Sequence, residues 1–326
     1  MRPRTAAVLC ALAVGLAGSA RAQTADPPDT PPIRIGPVLL TGYVQSDFLA
    51  ALDPAADTTD TSFRFRRVRL HLSGPLMTNV SWAVSAETTT SPVLRDAYVI
   101  LKHVPATTTY IGQLVMPYGY ERYVTSSNRI EFTERLLSSL APGRDAGVMV
   151  TNATPFWGWL SYGAAVVNGT GQNRTDDNGA KDVMGRLTVL PRPGLEIGVN
   201  GAHGEQRSGP RSRAGADISY ETRSYHLVAE YLHEAFDGDR RVEQNGYYLL
   251  GSWKIYPSRP RPTLHHLEIA TRFGEILGRE DLRQFDVAVN YYPRAKMRFM
   301  FDFILPGRRD PGQPRTTFHG RVNLLF

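Results

Sequence analysis

The chain is poor in cysteine, in lysine and in long apolar runs, and each shortage removes a class of protein. Its one cysteine, Cys10, lies inside an apolar run, Ala6 to Ala17, which follows Arg2 and Arg4 and precedes a small-x-small site at Ala20-Arg21-Ala22. That layout predicts a secretory signal peptide over residues 1–22. Because Leu9 rather than a small residue precedes it, Cys10 does not read as a lipid anchor. Loss of residues 1–22 leaves no cysteine, which excludes disulfides and thiolate metal or redox sites. Only four lysines occur, Lys102, Lys181, Lys254 and Lys296. Losing Arg2, Arg4 and Arg21 takes the 37 cationic residues to 34 against 31 acidic ones, so the net charge falls from +6 to about +3. Dispersed charge of that size lacks the clustered basic face and stacking aromatics that nucleic-acid binding needs. No window of about 18 apolar residues follows the leader, so no transmembrane helix is expected.

What the chain has instead is alternation. From Phe318 to Phe326, Phe318, Gly320, Val322, Leu324 and Phe326 share one face and His319, Arg321 and Asn323 the other. An apolar stripe running to the last residue suits lipid outside and water inside. After a Pro-rich leader over 23–37, sixteen such segments follow from Val38–Ala51 to Thr317–Phe326. Their connections alternate in length. Brief turns such as Pro191–Gly194 and Pro293-Arg294 alternate with polar loops such as Gly169–Lys181, Ala235–Glu243 and Pro306–Thr316. That asymmetry predicts an all-β fold, a sixteen-stranded antiparallel transmembrane β-barrel over 38–326 with both termini at the periplasmic rim. A Greek-key sandwich would mix long and short crossovers at both ends.

One connection stands apart, Met116 to Gly143. Asn128 with Glu131 three positions on forms a capping pattern, and Phe132, Leu136, Leu137 and Leu140 follow helical spacing up to Pro142-Gly143. An apolar stripe needs a surface to pack on. A barrel of about sixteen strands has an interior wide enough to supply one, so the segment is expected to fold inward as a constriction carrying Arg122, Arg129 and Arg135 against Glu121, Glu131 and Glu134. The alternative is a loop lying over the rim or at a subunit contact.

Several stretches resemble the phosphate-selective porin O and P family. They are Phe63-Arg64-Phe65-Arg66-Arg67-Val68-Arg69-Leu70 with Ser73-Gly74, Leu94-Arg95-Asp96-Ala97-Tyr98-Val99, Ile111-Gly112-Gln113 with Pro117-Tyr118-Gly119, Pro142–Val148 and Tyr162–Gly169. The resemblance implies a homotrimeric outer-membrane channel with an inward third loop, embedded in outer-membrane lipid. Its best-known members pass phosphate or polyphosphate along luminal arginines to lysines at a constriction. Here no lysine lies in the long loop. The expectation is therefore a porin of the bacterial outer membrane for small anions or other small hydrophilic solutes, with a mild anion preference and phosphate as one candidate.

Alternation assigns Arg67, Arg69, Arg186, Lys254, Arg272, Arg298 and Arg321 to the lumen, with Asp47, Glu87, Asp96, Glu196, Asp217, Glu230, Glu268, Asp286 and Asp302. Since the last strand closes beside the first, Arg67, Arg69, Arg298 and Arg321, with Arg272 near them, form a candidate anion track. Pairing with Asp47 and Asp302 is the competing reading. No hydrolase, nucleotide or metalloprotease motif occurs, and His265-His266 is expected to point to opposite faces. Neither cofactor, metal nor catalytic residue is expected. The alternatives are a barrel enzyme acting on lipid or peptide, and a plugged structural or receptor barrel.

Overall fold

The computed structural model describes residues 33–53, 58–91, 93–125, 130–238, 240–259, 261, 263–278, 281–307 and 316–326. The expected signal peptide and most of the leader lie outside them. The strands are β1 (Ile33–Ile35), β2 (Val38–Asp53), β3 (Thr58–Met77), β4 (Val80–Glu87), β5 (Leu94–Leu101), β6 (Thr107–Val115), β7 (Arg144–Asn152), β8 (Leu160–Val167) and β9 (Asp182–Arg192). They continue with β10 (Leu195–Gln206), β11 (Gly209–Glu221), β12 (Tyr225–Asp237), β13 (Arg241–Ile255), β14 (His266–Leu277), β15 (Leu282–Arg294), β16 (Met297–Pro306) and β17 (Thr316–Leu325). From β2 onward each strand pairs antiparallel with the next, and β17 returns to β2 along a ladder from Thr316↔Leu52 to Leu325↔Tyr43. Sixteen strands thus close into a barrel. Closure matters because hydrocarbon offers no partner for a free strand edge.

The seam is sealed at the terminus. The Gly42 N–H donates to the Phe326 carbonyl and the Phe326 N–H to Gly42, both at 3.0 Å. A Cβ on Gly42 would stand 2.6 Å from the Phe326 ring, so glycine leaves room for the terminal aromatic against the first barrel strand. Beyond the end of β17, β1 takes up the same edge of β2 through Ile33↔Leu40. The leader expected over 23–37 therefore ends in a strand.

The two faces separate by chemistry. On β16, Phe301, Phe303 and Leu305 are exposed while Arg298, Met300 and Asp302 are buried; on β15, Phe285 and Val289 are exposed while Asp286 and Asn290 are buried. Side chains alternate across a strand, so one face is a lipid-compatible apolar band and the other a polar lining. From β10 to β13 the strands run longer than the sequence indicates. The connections expected over 206–212 and 235–243 shrink to 207–208 and 238–240. Continued pairing, down to Gln206↔Gly209 and Asp237↔Arg241, satisfies backbone groups that a loop would leave to water.

Two bulges alter the lining. On β3, Arg67 opposes Gln45 and Phe65 opposes Ser46, which leaves Arg66 extra. On β5, Asp96 opposes Ser85 and Leu94 opposes Ala86, which leaves Arg95 extra. Each bulge places two consecutive residues where alternation allows one.

Candidate functional site: a loop across the polar face

Residues 116–143 join β6 to β7. The helix expected from Asn128 does not form: the described residues 130–143 hold bends and turns, and Tyr120–Val124 makes a single π-turn. Asn128 and Arg129 lie outside the described residues. Side-chain carboxylates take the N–H groups a helix would have used. Glu121 accepts from the Leu136 and Leu137 N–H at 3.0 and 2.9 Å, and Asp302 on β16 accepts from the Thr133 N–H at 3.1 Å. Glu230 on β12 accepts from the Tyr120 and Glu121 N–H at 2.6 and 3.0 Å. Charged acceptors make stronger bonds than carbonyls do, so they outcompete the regular ladder.

The apolar spacing serves packing instead. Leu136, Leu137 and Leu140 are buried with Tyr118, Leu232, Tyr248 and Ile276. The wall beneath is cut back to glycine: a Cβ on Gly246 would meet Leu140 at 2.4 Å, and one on Gly274 would meet Leu136 at 2.2 Å. Ile130 and Phe132 cover Ala270 and Ala288 in the same way.

Arginines of the wall close this contact. Arg272 donates to Asp286, to Glu121 at 3.0 Å and to the Glu134 carbonyl at 3.1 Å, and its guanidinium lies over the Phe132 ring. Arg298 donates to the Ile130 carbonyl at 2.9 Å, and Arg321 to Asp47 and to the Thr133 carbonyl. These three arginines are only 2–3% exposed. The structure divides the expected track accordingly. Arg272, Arg298 and Arg321 bind the loop, whereas Arg67 meets only its Glu134, at 4.0 Å, and Arg69 pairs with Glu87 of the wall.

Glu131 and Glu134 anchor the loop's far side. Glu131 Oε1 is 2.5 Å from His226 Nδ1, and His226 Nε2 lies 3.0 Å from the Tyr120 hydroxyl and 3.3 Å from Ser219 Oγ. That order mimics a hydrolase triad. The space beside it is only about 10 Å³ and is walled by Tyr120, Phe132 and Tyr248, too little for a substrate. Glu134 is forked by Arg66 at 2.7 and 2.9 Å and lies 3.4, 3.7 and 4.0 Å from Arg321, Arg64 and Arg67. Burial raises its pKa, but the Arg66 fork and the charges of Arg66, Arg321 and Arg67 hold it down to about 2.

Arg122 and Arg135 are placed differently. Arg135 donates to the Glu121 and Thr125 carbonyls. Arg122 has no ion pair among the described residues, and its buried Nε has no hydrogen-bond partner. Burial, then the charges of Arg135, Arg144, Arg95 and Arg69, push it down to about 10. Five arginines therefore gather where the loop faces β3, β5 and β7, with Glu87 held by Arg69 and Asp96 by Arg144. Beside them a cavity of about 480 Å³ is lined by Tyr43, Arg69, His71, Ser85, Asp96 and Lys296.

Alternation missed Arg64, Arg66, Arg95 and Arg144, though for two of these a signal exists. The apolar face runs through Phe63 and Phe65, then through Leu70 and Leu72; it also shifts from Leu94 to Val99. A change of parity from odd to even marks a bulge. At His265-His266 alternation fails as well, since the two Nδ1 atoms are 2.6 Å apart; His265 precedes β14 and is free of its pleat. No cluster of three or more metal-binding side chains occurs among the described residues.

Comparison with known proteins agrees with this geometry. The family model for "Phosphate-selective porin O and P" matches residues 38–208, a little over half of the chain. No match is found among curated protein sequences. Among solved structures, the anion-selective porin from Comamonas acidovorans is 15% identical with a TM-score of 0.62, covering 89% of this chain and 99% of that one. The outer membrane channel DcaP of Acinetobacter baumannii is 11% identical with a TM-score of 0.63, covering 89% and 97%. OmpF of Salmonella typhi, solved with daunomycin, is 12% identical with a TM-score of 0.64 over the same shares. With a closed sixteen-stranded barrel, an apolar outer band and a family match over its first half, the chain belongs to the phosphate-selective porin O and P family, as a porin of the bacterial outer membrane.

Proposed function

We propose that this porin is a passive, non-catalytic diffusion channel for small hydrophilic solutes, and that it prefers anions because its path runs between residues 116–143 and the wall formed by β3, β5 and β7. In this reading the loop folds into the lumen and narrows it. The observation that carries the preference is Arg122, whose buried Nε has no hydrogen-bond partner, which has no ion pair among the described residues, and which burial and the charges of Arg135, Arg144, Arg95 and Arg69 push down. Like charges focused in a narrow, low-dielectric passage concentrate counter-ions even where the overall lining is balanced. Phosphate, which the family's name puts forward, would meet arginine forks here rather than lysines. A homotrimer in outer-membrane lipid is the expected assembly, with each barrel conducting separately.

The test is the zero-current potential of the purified full chain across a planar bilayer in a potassium chloride gradient. We expect the sign of an anion-selective channel, shifted toward cations by Arg122→Ala. A wild-type preference for cations contradicts the reading. Hydrolysis of lipid or peptide by the purified barrel would favour an enzyme instead, and absence of conductance a plugged receptor.

A further inference from the structure

The arginines Arg64, Arg66 and Arg67 of β3 form a seat that a carboxylate already occupies. Its occupant is Glu134 of the loop, and the geometry is planar and bidentate: Arg66 Nε and Nη2 each bind one carboxylate oxygen, at 2.7 and 2.9 Å. Arg64 and Arg67 stand further off, at 3.7 and 4.0 Å, close enough to attract a carboxylate without being saturated by this one. The seat is also reachable. The Arg64, Arg66 and Glu134 side chains keep 43%, 27% and 30% of their surface exposed, whereas Arg321 and Asp47 beneath them keep 1% and 0%. Glu134 can leave without releasing the loop, because the loop hangs on other bonds here: the Glu134 carbonyl on Arg272, and Thr133 on Asp302 and Arg321.

We propose that this seat is a binding site for the carboxylate group of small organic anions, and that Glu134 is a built-in competitor for it, swinging out when a solute carboxylate takes its place. The inference rests on the channel reading above and gives it a solute class. A guanidinium fork matches the flat, two-oxygen edge of a carboxylate. Glu134 lowers the affinity of the seat because every incoming carboxylate must displace it. Removing that competition raises apparent affinity by the reciprocal of the fraction of time the seat stood free, so a tenfold gain corresponds to a seat free about one-tenth of the time.

The test uses the full chain in planar bilayers and measures block of chloride current by propionate, which is the glutamate side chain without its backbone. We expect Glu134→Gln to lower the half-blocking propionate concentration by about tenfold, while Arg66→Ala in the Glu134→Gln background restores weak block. Inorganic phosphate, which a guanidinium fork also binds in a bidentate way, should gain less from Glu134→Gln, since its further oxygens and second charge would lie against Asp47, which Arg64 and Arg321 hold beside the seat. Heat-modifiable mobility reports whether each variant is folded. If Glu134→Gln does not assemble, Glu134→Asp, one methylene short of the fork, should shift propionate block in the same direction by a smaller factor. Equal half-blocking concentrations in wild type and folded variant overturn the competitor. An equal gain for phosphate overturns the carboxylate assignment. A wild-type preference for cations would defeat the channel reading on its own, while the ratio between variant and wild type still decides the seat.

Discussion

Two walls of one barrel use the same residue for opposite purposes. On β14, β16 and β17, Arg272, Arg298 and Arg321 are spent on loop carbonyls and on Glu121, Asp286 and Asp47, and almost no surface of them remains. On β3, β5 and β7, Arg69 and Arg144 hold Glu87 and Asp96 and Arg95 donates to Gln172, while the loop's Arg122, which their charges push down, has no ion pair among the described residues. The difference lies in what covers them, since both sets belong to the polar lining. A buried guanidinium with its partners is structural, and on the proposed reading one without a carboxylate, as Arg122 is among the described residues, shapes the field a solute meets. Charge in a channel is therefore informative only after the loop has been placed.

The comparison can be broken most visibly by removing the cover. Deleting Tyr123–Leu140 should raise single-channel conductance severalfold, and an unchanged conductance would put the loop outside the path. Gly274→Val offers a gentler version, because a side chain there collides with Leu136 and Tyr248 and should lift the loop from its wall.

Matched arginine substitutions should then separate the walls. Arg321→Ala takes the fork from the buried Asp47 and leaves it only Arg64 at 3.4 Å, and weakening such a buried pair costs on the order of 3 kcal/mol, read as a lower unfolding midpoint in detergent. Arg122→Ala breaks no ion pair among the described residues and should leave that midpoint nearly unchanged. Its effect belongs to selectivity: the anion-to-cation permeability ratio should fall to roughly half, and the difference should vanish at 1 M salt, where screening reaches only about 3 Å. Equal destabilisation by both variants would erase the distinction.

The smallest effect concerns pH. The Glu134 carboxyl is depressed from its ordinary 4.5 to about 2, so its anchoring is complete above pH 4.5 and is lost as pH falls toward 2. Conductance noise from motion of the Glu134 side chain should stay flat between pH 7 and 5 and rise only below about pH 4. Noise that already rises at pH 6 would point to another group.

Much of this was legible in the sequence. Residues 107–115 and 144–152 are strands with the bounds the alternation gives, because regular turns and a strict two-residue period leave one solution. The Phe326 seam follows from the terminal stripe. What could not be read depends on contacts distant in sequence. The helical spacing of Phe132, Leu136 and Leu140 is real, but Asp302 and Glu121 claim the N–H groups. Arg298 and Arg321 lie on the polar face of their strands, and only the placed loop reveals that they are covered. The bulged arginines were within reach, since the apolar stripe changes parity beside each of them.

Cysteine accessibility tests the division of the walls most directly, because the mature chain is expected to carry no cysteine of its own. His71 lines the open cavity, while Ala288 is fully buried under Ile130 and Phe132. In the conducting channel, a charged methanethiosulfonate reagent should react rapidly at His71→Cys with a stepwise loss of current, and leave Ala288→Cys unmodified. Comparable reaction rates at the two positions would contradict a path confined to the wall of β3, β5 and β7.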